Sequence, residues 1–454
     1  MALRHIGNDI PAPMKLDDWL DQRSQTCPDR VALVADGSEV TYAELEAEAT
    51  WVARRLEAHG VRRRSTVALT MQPRREQVVL VHALMKVGAI LLPLSPRLAE
   101  VERAAIVATE EPTVDLTDPG QLTQTEADLP LLGEHDMDAP CCRVLTSGSS
   151  GASRPVELTY GNFLWSAVGS AFNIGVEPED RWLCCLPLSH ISGLAIVMRS
   201  VIYGTAAVLH DGFDVDRVAA ALEADEITVV SLVTTMLTRL LEAGADLSGP
   251  RAILVGGGPV PEEPLEEAIG RGATVVQTYG LTEACSQVTT LAPADAQRKL
   301  GSAGRPLLTT HLRIQDGEIL VQGPTSAPSR VDADGWLHTG DIGRIDEEGF
   351  LYVEDRIDDM IVSGGENVVP AEVEQVLLRH PEVADAAVVG RDDPEWQQAV
   401  TAVVVLVDGS RATPDELRRH CAGELAGFKV PKRVELAAAL PRTPSGKLLR
   451  RALR

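Results

Sequence analysis

Thr146-Ser147-Gly148-Ser149-Ser150-Gly151 sets four hydroxyls and two glycines directly after the apolar pair Val144-Leu145. Glycines let a backbone curl so that successive N–H groups face inward, and hydroxyls add further donors. That combination suits phosphate oxygens. A plain flexible Ser/Gly loop has the same composition. A second stretch, Gln277-Thr278-Tyr279-Gly280-Leu281-Thr282-Glu283, ends an expected strand, and α/β sheets bind ligands at the carboxyl ends of their strands. Tyr279 offers a flat face to a purine, Thr282 a hydroxyl to a phosphate, and Glu283 a hard oxygen ligand to Mg2+. A turn opening a helix would use Thr and Glu as capping residues. In the third, Trp336-Leu337-His338-Thr339-Gly340-Asp341 with Arg356 downstream, Asp341 could accept from a ribose diol while Arg356 donates in pairs. An Asp in a turn beside a surface Arg is the simpler alternative. The fourth, Pro441-Arg-Thr-Pro-Ser-Gly-Lys447, is not a Walker A loop. Pro441 stands where that loop needs its first glycine, and Leu448 where it needs Ser or Thr. Lys447 thus lies on a Pro/Gly-shaped loop near the C-terminus.

The elements needed to hold these groups alternate. Val67–Thr70, Ala89–Pro93, Arg181–Pro187, Ala206–His210, Thr228–Leu232, Ala252–Gly256 and Thr274–Gln277 are short apolar runs. Helical segments such as Gln77–Val87, Val215–Ala224 and Met236–Ala243 separate several of them. This pattern predicts an α/β fold with parallel sheet in a large N-terminal domain. From about residue 305 the style changes to short strands with Asp/Glu/Gly turns, at Ile319–Gly323, Trp336–Thr339, Ile342–Asp346 and Phe350–Val353. These predict a small β subdomain over about 305–354. Residues 355–359 read as a hinge and 360–454 as an α+β C-terminal domain, leaving 1–354 as the N-terminal domain. In the C-terminal domain a helix runs from Ala371 to Arg379, and strands cover Ala384–Gly390 and Val400–Val407. Thr413 and Glu416 form the capping box of another helix.

Composition narrows the function. With 42 basic and 66 acidic residues the formal charge is −24, which excludes broad nucleic-acid binding. Residues 429–454 nevertheless hold eight basic residues and one acid, either a solvated tail or a local attractor of polyanions. Seven cysteines show no C-x-x-C spacing, so a structural zinc or a disulfide framework is not expected. The first twenty residues lack an apolar signal-peptide core, and the greasiest stretch, Val78–Leu94, is broken by His82 and Lys86. No membrane segment is expected, and a cytoplasmic location follows.

In this order and spacing the motifs resemble the superfamily of acyl- and aryl-CoA synthetases, luciferases and nonribosomal adenylation domains. The likeness spans nearly the whole chain. It includes Thr41-Tyr-Ala-Glu-Leu45, Leu186-Pro-Leu-Ser-His190, Val255-Gly-Gly-Gly-Pro259 and Asp355–Glu374 beside the four stretches above. It implies a mobile C-terminal domain and two reactions: carboxylate plus ATP to acyl-AMP, then transfer to a thiol of CoA or a carrier protein. ATP, Mg2+ and CoA are the implied co-reactants, and a homodimer is a further expectation. By motif position the resemblance puts Thr146, Ser147, Gly148, Ser149, Ser150 and Gly151 on the β- and γ-phosphates, Thr282 on the α-phosphate and Glu283 on Mg2+. Tyr279 and Gly257-Gly258 flank adenine, with Gln277, Thr278 and Gly280 beside the nucleotide, and Asp341 and Arg356 hold the ribose. Lys447 bridges carboxylate and α-phosphate. Asp358 is the hinge, Ser363-Gly364-Gly365 enters for the thiol step, and Lys429 lies near CoA.

One departure stands out. Family members continue the first loop as Gly-x-Pro-Lys-Gly, whereas here Gly151 is followed by Ala-Ser-Arg154-Pro155. Arg154 could supply the cation, but Pro155 removes a backbone N–H. Within the superfamily, Leu186–Leu194 with Met198–Gly204, Leu254–Val260 and Tyr279–Gln287 resemble 2-succinylbenzoate–CoA ligases. That resemblance implies a diacid substrate whose second carboxylate needs a buried cation. Arg199, with Ser286 and Gln287, is the candidate, and His190 lines the acyl pocket or thiol tunnel. Another aryl or acyl acid, a non-thiol acceptor, and a non-catalytic nucleotide binder are the competing readings.

Overall fold

The computed structural model describes residues 14–117, 119–122, 125–127, 130–146, 154–224, 226–258, 260–363, 366–394, 396–442 and 448–454, with the side chains of Arg154, Asp358 and Asn367 excepted. Short continuous apolar runs build a nine-stranded sheet. Its parallel centre runs in the order Val275–Leu281, Ala252–Gly256, Val229–Val233, Arg181–Cys184, Ala206–Leu209, Val31–Ala35. Antiparallel strands Ser286–Thr290 and Arg305–Pro306 extend one edge, and Ser38–Thr41 closes the other. Leu183, Val230, Ile253 and Val255 pack on one face with Val218, Leu237, Leu240 and Leu265 of three helices. Trp182, Cys184, Val229 and Leu254 join the main core on the other. Both faces are therefore covered, as parallel sheet requires.

A five-stranded sheet shares the main core. Val114–Leu116, Thr66–Thr70, Ile90–Leu94 and Pro140–Thr146 are parallel, and Arg154–Thr159 returns antiparallel to the last. Thr41 and Glu44 of the Thr41-Tyr-Ala-Glu motif cap helix Tyr42–Ala58 reciprocally, Glu44 Oε2 accepting from the Thr41 amide at 2.8 Å.

The β subdomain is a four-stranded antiparallel sheet of His311–Gln315, Glu318–Gln322, Leu337–Ile345 and Leu351–Arg356. Here the two strands expected over 336–346 form one. Gly340, at φ +70°, and a register shift between Ile342 and Gly343 absorb the break without ending the ladder.

After a short turn at Ile357–Asp359, a second core begins at Ile361 and includes Val373, Val388, Val400, Val404 and Leu417. Helix Pro370–Leu378 starts on its proline, and the strands Val383–Asp393 and Gln397–Leu406 pair as a long hairpin. Helix Pro414–Glu424 carries the expected Thr413/Glu416 capping box. Among the described residues no helix is long and apolar enough to cross a membrane, and no group of three or more His, Cys, Asp or Glu could hold a metal ion.

Candidate active site

Two adjacent parallel strands, Ala252–Gly256 and Val275–Leu281, carry the candidate residues at their carboxyl ends. Ala252–Gly256 stops at Gly257, which takes φ +84°, and a side chain added at Gly258 would meet nothing within 4 Å. The turn is therefore low and open. Beside it, Tyr279 Oη donates to Asp341 Oδ2 at 2.7 Å, and Arg356 Nε lies 3.0 Å from Asp341 Oδ1. Asp341 and Arg356 face each other directly across the β-subdomain ladder. The Asp341 amide donates to Thr339 Oγ1 at 3.1 Å, and the Gly340 amide to Glu318 Oε1 at 2.9 Å. These contacts fix the plane of a carboxylate able to accept from a diol. Burial, reinforced by Asp341, pushes the Tyr279 hydroxyl well above its usual range, so it remains a donor.

Thr282-Glu283-Ala284 form a single 3-10 turn, and the chain then reverses into Ser286–Thr290. The reversal uses positive φ at two non-glycine residues, Cys285 (50°) and Ser286 (91°), so it depends on outside support. Ser166 Oγ donates to the Cys285 carbonyl at 2.7 Å, and the Ala327 amide to the Glu283 carbonyl at 2.7 Å. Asn162 Nδ2 holds the Ala327 loop through the Pro324 carbonyl at 2.8 Å. At Gly280 any Cβ would sit 1.8 Å from the Ser286 carbonyl oxygen, so only glycine permits this close return. The side chains of Thr282 and Glu283 are partly exposed and make no hydrogen bond or ion pair to the described residues. A carboxylate so placed, on a tight turn beside the Asp341 cluster, fits Mg2+, which prefers one or two carboxylates plus phosphates.

Arg199 is buried in helix Ile191–Tyr203. Its Nη2 donates to Ser166 Oγ at 2.9 Å, its guanidinium carbon lies 5.8 Å from the Trp182 ring centre, and its Nε has no partner among the described residues. Burial lowers its pKa from the usual value, and no carboxylate among the described residues pairs with it. The buried Gln287 Oε1, two positions after Cys285, also lacks a partner among the described residues, as does Ser189 Oγ, one residue before the helix cap. Unsatisfied buried polar groups are costly unless a ligand completes them. His190 caps the same helix without a side-chain bond, and burial holds its pKa below the usual value, leaving it neutral. Nine residues separate His190 from Arg199, about 13 Å along a helix axis.

The structure thus gathers Tyr279, Asp341, Arg356, Thr282 and Glu283, and sets Arg199, Ser286 and Gln287 around the far side of the same turn. Other expected residues have partners within the protein. Gln277 shares the face of Tyr279 but lies deeper, where Oε1 accepts from the Gly301 amide at 2.8 Å. Thr278 points to the opposite face, its hydroxyl donating to the Thr289 carbonyl at 3.0 Å. Both side chains are thus engaged within the protein. Lys429 Nζ is paired with both oxygens of Glu372 at 2.6 Å. Ser147, Gly148, Ser149, Ser150, Gly151, Gly364, Gly365 and Lys447 lie outside the described residues, as do the side chains of Arg154 and Asp358. Thr146 and Arg154 are cross-strand partners of an antiparallel pair. Ser363 is buried, with its hydroxyl unpartnered among the described residues. Ser166 and Glu318 escaped sequence reasoning altogether, since each acts through contacts far away in the chain.

The chain after Lys447 returns to the turn at Ile357–Asp359. Arg454 Nη2 donates to Asp359 Oδ1 at 2.7 Å, and Arg450 bridges Asp359 Oδ2 at 3.3 Å and Glu374 Oε2 at 2.6 Å.

A carboxylate–tyrosine–arginine cluster joining the main sheet to the β subdomain, followed by a small C-terminal domain with its own core, is the arrangement of an adenylate-forming enzyme. The chain belongs to the AMP-binding enzyme family, which it matches over residues 20–135 and 121–328, with the AMP-binding enzyme C-terminal domain at 372–447. It is 40% identical to the 2-succinylbenzoate–CoA ligase of Bacillus subtilis (strain 168), covering 96% of this chain and 97% of the relative. The structure of the Bacillus subtilis o-succinylbenzoate CoA synthetase with its acyl-adenylate intermediate matches with a TM-score of 0.91 at 39% identity, over 97% of this chain and 98% of that one. The form with ATP and magnesium ion gives 0.90 at 40% identity, over 97% and 100%. A double mutant bound to a product analogue gives 0.74 at 39% identity, over 97% and 99%. The arrangement here therefore follows the adenylate- and ATP-bound forms more closely.

Proposed function

We propose that this chain is an ATP-dependent 2-succinylbenzoate–CoA ligase, with Arg199 as the anchor of the acid's second carboxylate. The observation that carries the reading is a buried arginine with no carboxylate partner among the described residues, on the far side of the turn bearing Thr282 and Glu283. A diacid supplies the missing anion, so the pocket discriminates against monoacids by leaving a buried charge unpaired.

In the first half-reaction a carboxylate oxygen of the acid attacks the α-phosphorus of ATP, and pyrophosphate leaves. Both reactants are anionic, so cations must be fixed in advance. Lys447 spans the attacking carboxylate and the α-phosphate, and the Thr282 hydroxyl donates to the same phosphate. Glu283 would hold Mg2+, which neutralises phosphate charge. Thr146 to Gly151 and Arg154 receive the outer phosphates, and Gly257-Gly258 and Tyr279 enclose adenine. Asp341 accepts from the ribose hydroxyls, oriented by Tyr279 and Arg356. In the second half-reaction the CoA sulfur attacks the acyl carbon, its proton is lost to solvent, and AMP leaves. A mixed anhydride needs little base assistance, so neutral His190 lines the acyl path instead of taking the proton.

The turn at 357–359, centred on Asp358, is the pivot that exchanges Lys447 for Ser363-Gly364-Gly365 between the two steps. The lower likeness to the product-analogue form supports such a change of arrangement. Seven free cysteines, six of them buried, support a reducing cytoplasm. Pyrophosphate exchange against aryl, succinyl-aryl and fatty acids, with mass spectrometry of the CoA product, tests the assignment. Activation of a monoacid in preference to 2-succinylbenzoate would overturn it.

A further inference from the structure

Arg199 and the turn carrying Thr282 and Glu283 meet at one hydroxyl. Ser166 Oγ accepts from Arg199 Nη2 at 2.9 Å and donates to the Cys285 carbonyl at 2.7 Å. Arginine only donates, so the serine proton can go only to that carbonyl. The direction of this relay is thus fixed from cation to turn. Ser166, Arg199 and Cys285 are all buried, so no solvent screens the chain of bonds. The receiving end is the strained pair Cys285 and Ser286, at φ 50° and 91°. Such a turn has easier conformations nearby and is held by its braces. One brace acts on the Glu283 carbonyl through Ala327, and the other is Ser166.

We propose that Ser166 is a positioning residue that couples the acid pocket to the nucleotide turn, making acid and ATP bind with positive cooperativity. This rests on Arg199 being the acid's anchor. A carboxylate arriving at Arg199 fixes a guanidinium that otherwise makes one hydrogen bond to the described residues. The guanidinium then fixes the Ser166 hydroxyl, and the hydroxyl fixes the Cys285 carbonyl in the conformation that aims Thr282 and Glu283 at phosphate and metal. By linkage the nucleotide strengthens acid binding by the same factor.

The test measures affinity for α,β-methylene-ATP with Mg2+ by calorimetry, with and without saturating 2-succinylbenzoate. The wild-type enzyme should bind the nucleotide about tenfold tighter with the diacid present. Two monoacids that each lack one carboxylate, 4-oxo-4-phenylbutanoate and 2-butanoylbenzoate, serve as probes, and the one that cannot reach Arg199 should give little effect. Ser166→Ala should cut the coupling to about twofold or less, with kcat for pyrophosphate exchange falling more than the KM for ATP rises. Ser166→Thr, which keeps the hydroxyl, should restore it, and Ser166→Cys, a weak donor, replaces the alanine variant if that does not fold. Full coupling in Ser166→Ala, or none in the wild type, would overturn the proposal. Failure of the acid-anchor reading has a separate signature: diacid affinity unchanged in Arg199→Met.

Discussion

Replacing Arg199 by methionine separates stability from function with opposite signs. Methionine fills nearly the same volume without the charge. In the free enzyme the guanidinium has one hydrogen bond, to Ser166, a ring contact to Trp182 and an Nε unpartnered among the described residues. A hydrogen bond to a charged group contributes roughly 1.5–3 kcal/mol. Burying an ion without an ionic partner costs several kcal/mol even after relaxation. The balance favours the variant or leaves it even, so Tm should hold or rise. Catalysis should move the other way. Removing one member of a buried ion pair costs about 3–5 kcal/mol. At about 1.4 kcal/mol per decade, that is a fall of two to three and a half powers of ten in kcat/KM for 2-succinylbenzoate. The KM for ATP should change far less. Thermal unfolding and pyrophosphate exchange with each substrate varied in turn read both quantities. A loss of about 3 kcal/mol in stability with diacid kinetics intact would refute the reasoning and make Arg199 a structural cation.

Lys447→Ala should slow pyrophosphate exchange by two to three orders of magnitude, the usual effect of removing one preorganised charge donor. Thioester formation from presynthesised acyl-adenylate should survive, and parallel loss of both steps would contradict the exchange of loops. Asp341→Ala should raise the KM for ATP about 10- to 100-fold by removing a charged acceptor, with little change for the acid in steady-state kinetics. His82 is fully buried with an Nε2 unpartnered among the described residues, and burial drives its pKa from 6.5 down to about 4. The unfolded chain then binds a proton that the folded one refuses, so stability is lost as pH falls from 6.5 towards 4. His82→Leu should flatten that part of the curve in urea titrations, by up to about 3 kcal/mol.

Local rules made much of the fold legible. Thr413 and Glu416 announced a capping box, and the short apolar run Arg181–Pro187 announced a strand, which the structure buries on both faces. The residues of the Tyr279–Asp341–Arg356 cluster stood out as motifs because each side chain carries its chemistry openly. What stayed hidden depends on contact between distant segments. Tyr279 reaches Asp341 across 62 positions, and Ser166 reaches Cys285 across 119. Within the apolar helix Tyr160–Ile174 a serine is indistinguishable from a small packing residue. The Gln277 contact stayed hidden for a related reason: the side chain shares the face of Tyr279, and only the arrival of Gly301 engages it. The split expected within Leu337–Ile345 failed because one glycine at positive φ bends a strand without ending it.

Arg356, which grips Asp341, is the last residue of its strand, and the turn at Ile357–Asp359 begins at the very next position. Asp359, two residues further, is tethered by Arg450 and Arg454 from the chain's last residues. On the reading proposed above, a ribose held by Asp341 would sit at one end of a three-residue link whose other end is tied to the segment following Lys447. Loss of AMP and release of the C-terminal domain for another cycle would then share one short stretch of backbone.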